Sequence, residues 1–116
     1  MTEFYEQVKE RLMRYARINT ESDPHSTSVP TTSCQHDLAS IIYEELQEIG
    51  ATNVYYDKDT CVVYGSLEAN VKTGRAIGFV THMDTAPDAS GKDVKPWVLE
   101  NYDGNDIILN KEKNII

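Results

Sequence analysis

The chain has 116 residues, 40% of them hydrophobic, which suits one small domain or a piece of a larger one and excludes disorder along the whole length. Nineteen acidic against eleven basic residues give a net charge of −8, a field that repels phosphate backbones and anionic lipid headgroups and so argues against nucleic-acid and membrane-surface partners. No apolar run approaches the ~18 residues of a spanning helix, the N-terminus is charged and amphipathic, and Cys34 and Cys61 stand far apart without a CxxC motif, so the expected setting is the cytoplasm, with both thiols packed.

In chain order, Phe4, Val8, Leu12 and Tyr15 recur at helical spacing between Glu3 and Ile18, with acids early and arginines late, which predicts an amphipathic helix. Residues 19–33, "NTESDPHSTSVPTTS", lose all periodicity and read as a long irregular connection, crossing the surface in preference to contacting substrate. Thr32 and Gln35 have the spacing of a capping box, and Leu38, Ile41, Ile42, Leu46 and Ile49 trace one face of a second helix until Gly50 stops it.

The period then changes to that of strands, at 52–57, 61–68 and 75–82, so the class is mixed α and β. Ala76 to Val80 is apolar without alternation, the pattern of a strand covered on both faces, and this predicts a central strand in a sheet between helices. Beyond it, "WVLEN" and "DIILN" are strand-like runs around the Asp103-Gly104 turn.

His82 and Asp84 stand where that central strand ends. In open α/β sheets ligands gather outside the carboxyl ends of strands. Extended backbone would point both side chains to one face, bringing the carboxylate to the imidazole, and a metal-bound histidine needs such a partner on its second ring nitrogen. His-x-Asp alone is a weak pattern, and a solvated strand end is the competing reading. A serine nucleophile is disfavoured because no G-x-S-x-G elbow exists, Ser66 merely following a lone glycine. Cys34 and His36, two residues apart in one helix, diverge too far for a thiol pair, and His25 and His36 read as surface residues.

The stretches "SDPHSTSVPTT", "CVVYGSLEAN" and "GFVTHMDTAPDASGKDVKPWVLENYDG" together resemble the amino-terminal part of the peptidase T family of tripeptide aminopeptidases. That family belongs to the dinuclear zinc peptidases, with glutamate carboxypeptidases and aminoacylases. The resemblance covers essentially the whole chain. It implies a three-layer catalytic domain, a twisted sheet between helices, interrupted by a lid or dimerisation domain. It implies two zinc ions per complete site, short peptides as substrates and a homodimer of the complete enzyme. By position, His82 matches the first zinc ligand and Asp84 the catalytic carboxylate that orients it. The family's bridging aspartate, adjacent glutamates, further aspartate and second histidine all fall downstream of His82, and Glu44-Glu45 does not match the acidic pair.

Residues 1–116 are therefore expected to be the first part of a catalytic domain, inactive alone and exposing apolar surface that the remainder covers. The apolar ending Asn114-Ile115-Ile116 is read the same way, as a strand cut short. The rivals are a dipeptidase or amino-acid deacylase of the same clan, and a non-catalytic α/β module that binds peptides or a protein partner.

Overall fold

The computed structural model describes residues 2–72, 74–112 and 114–116. Helix α1 spans Thr2–Tyr15, helix α2 Gln35–Glu48, strand β1 Thr52–Asp57 and strand β2 Val62–Ser66. The mixed α and β class thus holds, with α2 packed on a two-stranded antiparallel sheet.

Helix α2 ends as its sequence dictates. Gly50 takes φ +82°, its N–H bonds the Gln47 carbonyl at 3.0 Å, and Ala51 N–H bonds that of Leu46 at 2.9 Å. This is a Schellman closure, which needs the left-handed residue that glycine supplies without a Cβ penalty. The other end differs from the capping-box expectation. The Thr32 hydroxyl donates to the Glu21 carbonyl at 2.6 Å, while the Gln35 side-chain amide donates to the hydroxyls of Thr31 and Thr32. Cys34 holds the N-cap position with no side-chain bond to the helix. Thr32 therefore ties the preceding loop to itself.

The two strands pair with Asp57 opposite Val62, leaving a four-residue turn. Asp57 organises it, accepting from Asp59 N–H at 3.0 Å and the Thr60 hydroxyl at 2.7 Å. Among the described residues Leu38, Ala39 and Cys61 are the buried apolar ones, and a side chain at Gly65 would meet Leu46 Cδ1 at 3.3 Å. The core is the seam between α2 and the hairpin.

Helix α1 ends at Tyr15, short of Ile18, with single turns following it. Its stripe of Phe4, Val8 and Leu12 stays exposed. What holds it is polar: Glu45 of α2, itself buried, receives Arg11 Nε at 3.2 Å, the Tyr15 hydroxyl and the Arg14 guanidinium.

Of the predicted three-layer arrangement, the described residues build a helix on a two-stranded sheet. Among the described residues, 75–82 form no strand ladder, so the central strand is corrected to an unpaired segment with Ile77 81% and Phe79 94% exposed. A strand requires neighbours for its N–H and C=O groups, and one apolar on both faces requires cover twice; the helices and hairpin present here supply neither. "WVLEN" and "DIILN" likewise form no strands. They leave an isolated antiparallel bridge between Asn110 and Ile115, although Gly104 does take the positive φ of a turn, +88°. No described helix is long and apolar enough to cross a membrane.

Candidate functional site

His82 and Asp84 meet despite the missing ladder. His82 Nδ1 lies 3.0 Å from Asp84 Oδ1 and 3.0 Å from the Asp84 carbonyl oxygen. Both partners are acceptors, so Nδ1 carries the proton and donates to them. A ring with its single proton there keeps its lone pair on Nε2, the atom with which such a histidine binds a metal. The imidazole is exposed and the carboxylate about half so.

The backbone that holds the pair is fixed from an unexpected side. The irregular loop after α1 pairs with the residue following Asp84. Thr85 N–H donates to the Thr20 carbonyl at 3.1 Å, and Ser22 N–H donates to the Thr85 carbonyl at 2.9 Å, a parallel bridge between Glu21 and Thr85. The Ser22 hydroxyl reaches the same carbonyl at 3.1 Å, and Thr20 is buried. Beside this seam, Asp23, Thr31, Gln35, Thr60 and Asp84 line an open cleft of about 430 Å³. Such a volume falls in the range of small-molecule sites.

His25 is exposed in its loop, as expected. His36 is more than a surface residue: its Nδ1 meets the Tyr56 hydroxyl, linking α2 to β1. Burial pushes the Tyr56 hydroxyl and the Cys61 thiol above their ordinary pKa values, with the neighbouring thiol adding to the effect on Tyr56. Both cysteines are free. Among the described residues no group of three or more His, Cys, Asp or Glu side chains converges to hold a metal ion. The donor set therefore fits one metal ligand with its carboxylate partner, where a zinc site draws three or four from its protein.

The comparisons with known proteins bear on that pair. Over 110 residues the chain is 49% identical to the peptidase T of Alkaliphilus oremlandii, an alignment spanning 92% of the chain. The chain is similar to peptidase T over nearly its whole length. It is also 47% identical over 112 residues to peptidase T of Geobacillus kaustophilus, and 42% identical over 113 residues to that of Fusobacterium nucleatum, matches spanning 96% and 97% of the chain. In each case the chain spans about 27% of the peptidase T relative's own length. No family model matches.

Proposed function

We propose that this chain is the part of a zinc-dependent tripeptide aminopeptidase that carries the first metal ligand, His82, and its orienting carboxylate, Asp84. The observation that carries the reading is the 3.0 Å contact from His82 Nδ1 to Asp84 Oδ1, within a chain similar to peptidase T over nearly its whole length. Residues 1–116 then form the opening section of a three-layer catalytic domain, and the remaining ligands and the general base come from the rest of that domain. The working setting is the cytoplasm, the substrates are short peptides, and the complete enzyme is a homodimer.

The chemistry of this chain's own groups is orientation and electrostatics. Asp84 holds the Nδ1 proton, fixes the imidazole tautomer and makes Nε2 the more basic donor. His82 would hold one zinc ion through Nε2, and zinc in the complete site would supply Lewis acidity toward the scissile carbonyl and an activated water. The cleft that Asp84 lines is open and mixed, with Asp23, Thr31 and Gln35 beside Pro24, Val29 and Pro30, which suits a short peptide with both backbone and side chain to place.

The test is hydrolysis by the full-length protein of a tripeptide, a dipeptide and an N-acylated amino acid, with and without a chelator. Chelator-sensitive release of the N-terminal residue from the tripeptide alone is expected. Preference for either other substrate selects the dipeptidase or deacylase, and inertness toward all three selects a binding module. Replacing His82 with Ala lowers zinc content and activity to background if the assignment holds; a variant keeping both removes His82 from the site.

A further inference from the structure

The loop after α1 does more than cross the surface. A peptide unit is planar, so the Asp84 carbonyl and the Thr85 N–H turn together. The carbonyl accepts the His82 Nδ1 proton at 3.0 Å, and the N–H of the same unit donates to Thr20 at 3.1 Å. The loop thus grips the plane on which the imidazole rests.

Glu21 closes the grip from its side chain. Its carboxylate accepts the Gly91 N–H at 3.0 Å, joining residues 70 apart, while its neighbours Thr20 and Ser22 make the two backbone bonds of the bridge to Thr85. Glu21 N–H in turn donates to Asn19 Oδ1 at 3.2 Å. Space there is tight: a Cβ on Gly91 would stand 2.7 Å from Asn19 Oδ1 and 3.2 Å from Thr85 Oγ1. A charge-assisted bond between two loops is stronger than a neutral one and directional, and here both loops flank the His82–Asp84 segment.

We propose that Glu21 is a positioning residue. By clamping Gly91 while Thr20 and Ser22 on either side of it bond Thr85, it fixes the Asp84–Thr85 peptide and so keeps the His82 proton on Nδ1 and the lone pair on Nε2. This rests on the reading of His82 as a metal ligand.

Three variants test it: Glu21→Ala, which removes the acceptor; Glu21→Gln, whose amide oxygen still accepts from Gly91; and Gly91→Ala, which pushes Asn19 out of place. The first readout is the imidazole tautomer of His82 by ¹⁵N NMR on the metal-free protein, and the second is kcat and KM for a tripeptide with the full-length protein. Wild type and Glu21→Gln are expected to show the Nδ1–H tautomer. Glu21→Ala and Gly91→Ala are expected to mix in the Nε2–H form and to lose roughly tenfold in kcat, the lower end for partners supporting a metal ligand, with KM held within about twofold. Should Glu21→Ala not fold, Gly91→Ala beside Glu21→Gln decides the matter.

An unchanged tautomer and kcat in both disrupting variants overturn the proposal, as does Glu21→Gln behaving like Glu21→Ala. If wild type hydrolyses no peptide yet the tautomer shifts as stated, the aminopeptidase reading falls and the positioning role stands.

Discussion

At the scale of single residues, burial and hydrogen bonding set what each group can do. Cys61 is buried, and burial holds its thiol above the ordinary range, so the nucleophilic thiolate is scarce. Cys61 is expected to react with a thiol reagent at pH 8 much more slowly in the native chain than in urea; equal rates would show that the seam between α2 and the hairpin is open. Asp57 behaves oppositely. The Thr60 hydroxyl, with the backbone amides of Asp59 and Thr60, holds its carboxyl below its usual 3.8. A folded-state pKa below the unfolded one favours the ionised form, so its support for the turn is present above pH 3.8 and lost as pH falls through the lower folded value. Exchange of the Asp59 amide should therefore quicken in that acid window, and Asp57→Asn should remove the dependence. From the sequence, Cys61 read only as packing and Asp57 only as the end of a strand. His36 was legible as a surface histidine, because its partner Tyr56 lies twenty residues away and only folding brings the two rings together.

At the scale of elements, the helices divide what was legible from what was not. Gly50 as the stop of α2 follows from local chemistry, and Gly50→Ala is expected to cost about 1 kcal/mol, because a Cβ there must take the left-handed conformation. A melting curve matching wild type would show another closure. Leu38→Ala, in the seam beneath α2, should cost more, roughly 2–4 kcal/mol by chemical denaturation. The attachment of α1 was not legible in its apolar stripe, which stays exposed; it rests on a charge. Glu45 falls four residues after Ile41 and seven after Leu38, among the apolar positions of α2, and a carboxylate there calls for partners. Arg11, Arg14 and Tyr15 supply them. Because both arginines remain partly in water, Glu45→Ala is expected to cost only about 1 kcal/mol overall, yet to raise amide exchange along α1 well above that along α2. Equal protection of the two helices would mean that α1 is held by other contacts.

At the scale of the whole molecule, the radius of gyration is 17.6 Å, against about 13 Å for a compact domain of this length. The excess comes with apolar side chains facing water, Ile77, Phe79, Val80 and Trp97 among them. Surfaces of this kind seek cover. The 116-residue chain is expected to bind a hydrophobic dye and to associate with rising concentration, and Phe79→Asp should weaken both. A monomer at every concentration without dye binding would contradict the exposure of this segment.

By itself the sequence determined what depends on neighbours along the chain: the two helices, the Gly50 closure, the two strands of the hairpin, and a histidine and an aspartate spaced to meet. Its longer motifs pointed to peptidase T, and the similarity to those relatives agrees. Only the tertiary structure decided what depends on distant partners. It left 75–82 without a sheet, since a ladder must be supplied by other strands. It turned Glu45 into the anchor of α1, and it brought Thr20–Ser22 across to Thr85, making an aperiodic loop the support of the His82–Asp84 pair. Backbone hydrogen bonds between residues more than sixty positions apart leave no periodicity to read; they exist only once the chain has closed on itself.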